Sequence, residues 1–182
     1  MKHVEMMKIG LVCATIVLLF SRNAGALEHR VTGGLEVDSM MSDVDSAAGA
    51  YVTYEVDLPE PISVMLDLNY VKGSFSLPLG SGDYTSLAIG TYLIFSQEYD
   101  NWKPYLGVGG AFHFNRFDNL EFDDKLSMVW LAGSKYMVSD RLIFDASLRF
   151  RTLRVDTEDA SLTPNQVDMD AVVLRFGLIY EL

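Results

Sequence analysis

Cysteine is almost missing: the single residue, Cys13, lies in an apolar N-terminal stretch. Small secreted domains often rely on disulfides for stability, so a chain without them beyond that stretch needs another source. Long apolar runs are missing too. Past residue 26 nothing approaches the roughly 18 consecutive apolar residues that a spanning helix requires. Positive charge is scarce, with 14 Lys and Arg against 25 Asp and Glu and a net charge of −11. No basic stripe exists to neutralise phosphates, which excludes nucleic acid as a partner. What the chain does have is apolar bulk, 49% hydrophobic and 12% aromatic residues. With no helix to hold them, these residues have to be placed by alternation along strands.

The N-terminus reads as an export signal. Lys2 and Lys8 precede the apolar core Ile9 to Phe20, and Ala24-Gly25-Ala26 matches the small-x-small pattern at which such signals are cut. Roughly twelve apolar residues span only about 18 Å as a helix, against a bilayer core of about 30 Å, so a membrane anchor does not fit. Cys13 follows Gly10-Leu11-Val12 and lacks the small residue a lipid-modified cysteine wants before it. The expected organisation is residues 1–26 as a cleaved signal and 27–182 as one domain.

From Leu27 onward one device repeats: about ten residues of period-two alternation, then a turn or a loop. Eight runs follow this pattern, at 30–37, 51–58, 62–70, 86–95, 104–114, 126–136, 142–151 and 172–182. In the last, Val172, Leu174, Phe176, Leu178, Tyr180 and Leu182 alternate with Arg175, Gly177 and Glu181. An even number of strands puts both termini at one end. Short turns after runs two and six, against longer polar connections after one, three, five and seven, suit a barrel with two unlike ends, although the connection from Ser96 to Lys103 after run four is longer than a minimal turn. The expected fold is therefore all-β, an eight-stranded antiparallel up-and-down transmembrane barrel.

Alternation alone does not say which face is inside; volume does. An eight-stranded barrel has an interior just wide enough for side chains to fill. The apolar face carries most of the bulky residues, whereas the other face holds Gly34, Gly49, Ala88, Gly90, Gly107, Gly109, Ala111, Gly133 and Gly177. The small face suits the interior, and the bulky face must meet lipid. Aromatic girdles are expected at Phe95, Trp102, Tyr136 and Tyr180 on the turn side, and at Tyr70, Tyr84, Phe114 and Phe150 on the loop side.

Charge placement agrees. The interior slots carry Arg30, Lys135, Arg149, Arg151 and Arg175 against Glu36, Glu55, Asp57, Asp67, Asp145 and Glu181, while the apolar face carries none. A nearly balanced set is what burial demands, because an unpaired buried charge costs several kcal/mol. Glu36, Glu55, Asp67, Lys135, Asp145, Arg149, Arg151 and Arg175 are expected to form an interior polar network, with Arg30 and Glu181 at the strand ends in water. The surplus acidity falls in the long connections, at Asp38, Asp43 and Asp45, at Asp118, Glu121, Asp123 and Asp124, and at Asp156, Glu158, Asp159, Asp168 and Asp170.

The C-terminal phrase RFGLIYEL (175–182) resembles the signal by which outer-membrane barrels are recognised for insertion, with Gly177, Tyr180 and Leu182 at its marked positions. Leu182 departs from the usual terminal aromatic. With PYLGVGGAFHF (104–114) and SDRLIFDASLRF (139–150), the domain resembles the outer-membrane β-barrel family of OmpA, OmpX and OmpW type. The resemblance implies export to the outer membrane, lipid and lipopolysaccharide as surroundings, an encounter with the barrel-insertion machinery, and a monomer. Its implied roles are structural or adhesive, with small-solute or hydrophobic-compound passage as the alternative; fold alone does not choose.

Catalytic, cofactor and metal sites are not expected. Of the histidines only His29 and His113 lie beyond the signal. Lipid-modifying barrels use His-x-Ser, and here the triplet is His113-Phe114-Asn115, so the nucleophile is missing and His113 reads as an interior polar filler. The carboxylates of 118–124 lack the spaced oxygens and glycine of a calcium loop. Expressed with its native N-terminus, the exported protein should begin at Leu27; intact-mass measurement of purified envelope protein checks this, and a mass retaining residues 1–26 would overturn it.

Overall fold

A computed structural model describes residues 28–40, 44–77, 80–118, 125–139, 142–156 and 166–181. Ala24, Ala26 and Leu182, and with them the cleavage site and the last residue of the insertion signal, lie outside these residues, as do Asp43, Glu121, Asp123, Asp124, Glu158 and Asp159.

The strands are β1 (His29–Met40), β2 (Val44–Asp57), β3 (Ile62–Leu77), β4 (Gly80–Ser96), β5 (Trp102–Phe117), β6 (Lys125–Ser139), β7 (Leu142–Thr152), the short pair β8 (Arg154–Asp156) and β9 (Gln166–Asp168), and β10 (Ala171–Glu181). Neighbours pair antiparallel in chain order and β10 closes on β1, so eight strands form a closed barrel; β8 and β9 make a separate hairpin. The closing seam runs from Arg30↔Glu181 to Met40↔Ala171. Closure satisfies every ladder and leaves no edge, which is what makes a strand structure viable in lipid.

The pleat sends bulky apolar residues outward. Leu106 is 64% exposed and Leu126 73%, and Leu35, Trp130, Phe176 and Leu178 are also exposed. Of the expected girdles, Phe95, Trp102, Tyr136, Tyr180, Tyr70 and Phe150 are exposed, and Phe114 is half-buried beside Phe112 with ring centroids 5.0 Å apart. Tyr84 is the exception: it points inward and is buried.

Tyr84 belongs to a larger difference. A long polar connection is expected after run three, but β3 and β4 continue as one ladder from Val71↔Ser86 to Leu77↔Gly80. Spanning takes about 9–11 residues per strand, and β3 and β4 have 16 and 17. In the extension the pattern inverts. Val71, Phe75 and Tyr84 are buried inside, whereas Lys72 and Asp83 point outward and form an exposed ion pair at 2.9 Å. Outside the bilayer the outer face meets water, so the polarity that marks a strand there is reversed, and the segment reads as a loop.

Inside the wall, two glycines accommodate tyrosine rings and close strands. A Cβ on Gly133 would collide with the ring of Tyr105, and one on Gly177 with the hydroxyl of Tyr51. Gly133→Val should push Tyr105 off Asp145, to which its hydroxyl donates at 2.8 Å, and cost about 1–3 kcal/mol as overpacking. Gly33→Ala, where a Cβ meets nothing within 4 Å, should be close to neutral. Urea unfolding of the two variants in micelles, followed by the mobility shift on boiling, separates them; equal midpoints would contradict the packing.

Candidate functional site

The barrel interior is where the chain concentrates its chemistry. Parity places Arg30, Thr32, Glu36 and Asp38 of β1 inward, with Thr53 and Glu55 of β2, Asp67 of β3, Lys135 of β6, Asp145, Arg149 and Arg151 of β7, and Arg175 of β10, all buried. Among the eight residues of the expected network, contacts join Asp67 with Arg149 and Arg175, Arg175 with Glu36, and Lys135 with Glu55.

Asp67 is the node. Its Oδ1 accepts from Arg175 Nη1 at 2.6 Å and its Oδ2 from Arg149 Nη1 at 3.2 Å, tying β3 to β7 and β10 across the barrel. Arg175 also makes an ion contact through Nε with Glu36 Oε2 at 2.5 Å. The two guanidinium planes lie over rings, Arg175 on Tyr51 at 4.4 Å and Arg149 on Tyr92 at 4.9 Å. Stacking and carboxylate contact together replace the water a guanidinium gives up on burial. Nearer the turn end, Lys135 Nζ donates to Glu55 Oε2 at 2.5 Å and Ser63 Oγ to Glu55 Oε1 at 2.7 Å. Asp145 accepts from Tyr105, not from Lys135, its register partner.

Two expectations change. Arg30 does not sit in water at its strand end but is buried. It donates to both oxygens of Asp57 at 3.0 and 2.7 Å, to Glu28 at 2.7 Å and to Glu181 at 3.2 Å, because the turn-end rim folds its carboxylates over it. Asp38 is not loop acidity: it faces inward and pairs with Arg151 Nη1 at 3.0 Å. The alternation Arg30, Thr32, Gly34, Glu36 extends to it, and that continuation was the signal available. The interior also has apolar walls. The wall of β3 to β6 contributes Met65, Tyr92, Ile94, Val129 and Leu131, and the loop end is lined by Val71, Phe75, Tyr84, Phe117, Leu153 and Met169. The connection between β7 and β10 turns inward there, with Met169 N–H donating to Leu153 carbonyl at 2.8 Å and Leu153 N–H to Asp170 Oδ1 at 2.9 Å.

His113 is buried, with Nε2 2.8 Å from Ser127 Oγ and Nδ1 3.4 Å from Ser86 Oγ. Spacing along the chain gave no hint of this contact, which depends on β4, β5 and β6 lying side by side. Ser127 also donates to the Ala111 carbonyl at 3.2 Å. Both side chains are buried, and His113 borders the small void beside Tyr92, Arg149 and Arg151. Among the described residues no group of three or more His, Cys, Asp or Glu is arranged to hold a metal.

Among solved structures the chain is similar to the outer membrane protein OprG from Pseudomonas aeruginosa, at TM-score 0.71 and 16% identity over 85% of this chain and 95% of that one. The fold is that of the eight-stranded outer-membrane barrels. Neisserial surface protein A follows at TM-score 0.62 and 16% identity, covering 86% of this chain and 97% of that one. Ail, the attachment invasion locus protein of Yersinia pestis, solved with the heparin analogue sucrose octasulfate, has TM-score 0.59 and 15% identity, covering 86% and 99%. At these identities the likeness is one of fold. No family model matches the chain, and no curated protein matches it.

Removing one member of a buried ion set strands the others, which typically costs about 3–5 kcal/mol. Arg175→Met should therefore lower unfolding stability by about that amount. Adding Glu36→Gln should recover part of the loss, since among the described residues Glu36 pairs with Arg175 alone and its neutral amide no longer demands a cation, while Asp67 stays charged for Arg149. Urea titrations of the single and double variants in the same micelles check the sign; a double variant less stable than the single would contradict it.

Proposed function

We propose that this chain is a structural and interaction barrel of the bacterial outer membrane, closed across its middle and presenting acidic connections on the outside. The observation that carries this reading is the Asp67 node with its two cross-barrel arginines. The void between Asn69, Tyr92, His113, Arg149, Arg151 and Arg175 is about 20 Å³, room for about one water. A solute larger than water would have to break several buried ion contacts to pass. The body then serves as a rigid mount, and recognition falls to the loop end.

The surroundings on this reading are outer-membrane lipid and lipopolysaccharide, with residues 175–182 engaging the insertion machinery during biogenesis. Lys72, Thr85 and Arg116 form one outward row by register, two residues beyond the row Tyr70, Leu87 and Phe114. That row lies about 7 Å further along the strands, where phosphates of the outer leaflet are met. A soluble polyanion, such as the one bound to Ail, suits a chain of net charge −11 poorly.

A second reading, passage of small apolar molecules, is favoured by the apolar lining of the loop end, where Phe75 and Phe117 meet edge-to-face at 5.3 Å and Tyr84 stacks on Phe117 at 5.4 Å. Planar-bilayer recording and influx of an apolar dye into liposomes separate the two. The structural barrel should give neither steady conductance nor dye influx. Steady ion conductance would overturn closure, and influx without conductance would favour the second reading.

A further inference from the structure

A groove of about 940 Å³ lies toward the turn end of the wall and is lined in part by outward-facing residues. Register explains its position. Phe95, Leu106 and Ala132 stand side by side on β4, β5 and β6. Phe95 and Leu106 project as exposed walls, while Ala132 and the neighbouring Pro104 leave the surface low between and beside them. Glu60 and Glu98, from the two turns that flank β3 and β4, stand at the rim. Both are exposed, and neither has a hydrogen-bond or ion-pair partner among the described residues. No Lys or Arg lines the groove.

Depth assigns the occupant's shape. Leu106 lies four residues, about 13 Å along the strand, from Trp102, which is exposed opposite Tyr136 and marks the turn-side interface. The apolar part of the groove is thus at acyl-chain depth, and the carboxylates are at headgroup depth. Charge assigns the headgroup. A primary ammonium supplies three N–H donors to two unpartnered carboxylates. A quaternary ammonium has no donor, and an anionic headgroup is repelled.

We propose that this groove binds a phospholipid with a primary-ammonium headgroup in the leaflet on the turn side of the barrel. The proposal rests on the reading of the chain as a membrane-embedded barrel. One acyl chain lies against Phe95, Leu106, Pro104 and Ala132, and the ammonium reaches Glu60 and Glu98.

The test is native mass spectrometry of the refolded full-length mature chain in micelles, with equal amounts of phosphatidylethanolamine, phosphatidylcholine and phosphatidylglycerol of the same acyl chains. Wild type should retain phosphatidylethanolamine about two- to fivefold over the other two, the ratio that exposed ion pairs support. Glu60→Gln with Glu98→Gln should abolish the preference but keep lipid retention, and Ala132→Trp should reduce retention of all three. Each variant is first checked for the mobility shift on boiling. Equal retention of the three lipids by a heat-modifiable wild type, or a preference that survives the double substitution, would overturn the proposal and leave the barrel reading intact. A wild type that shows no shift and needs no detergent would remove both.

Discussion

A backbone in hydrocarbon has no water to bond to, so every N–H and C=O must find a partner within the wall. The pairing of β1 with β10 meets that demand, and the rest of the architecture follows from it. Eight strands close to a narrow lumen; the narrow lumen requires Gly133 and Gly177 where the rings of Tyr105 and Tyr51 lean inward. Because each inward side chain then faces others at contact distance, most charges inside are kept with a countercharge, and Asp145 with the Tyr105 hydroxyl. Asp67 with Arg149 and Arg175, Lys135 with Glu55, and Asp38 with Arg151 are the result.

Buried ion pairs are weak evidence for stability, since apolar residues of similar volume often serve as well. Here they are suited to specificity of register. A shift of one residue would turn Arg149 and Arg151 into lipid and bring Phe150 inside. A charged interior therefore penalises wrong pairings of strands more heavily than a purely apolar one would.

The strands inside the bilayer were legible because two solvents of opposite kind act on the two faces. Period two follows directly, and with it the inward placement of Glu36, Glu55, Asp145 and Arg175. Partners were less legible. Lys135 faces Asp145 in register yet bonds Glu55 on the far wall, because reach across a lumen depends on strand tilt and side-chain length, neither of which is written in spacing. The ends of β3 and β4 resemble loop for a different reason. Lys72, Ser74 and Asp83 outside with Val71, Phe75 and Tyr84 inside is strand alternation of the opposite polarity, and nothing local marks where the outer solvent changes. The closed inner surface is likewise mixed, since Ile94, Val129 and Leu131 occupy interior positions beside polar ones.

The inverted extension of β3 and β4 sets how high the barrel rides. Below it the outer face is apolar, above it the outer face is charged, and the change occurs between Tyr70 and Lys72 on one strand. Sinking the barrel by one pleat would drag the Lys72–Asp83 pair into acyl chains, and raising it would leave Tyr70 and Leu87 in water. The wall thus carries its own waterline, and a bilayer of the wrong thickness must deform locally around this protein before the protein will shift within it.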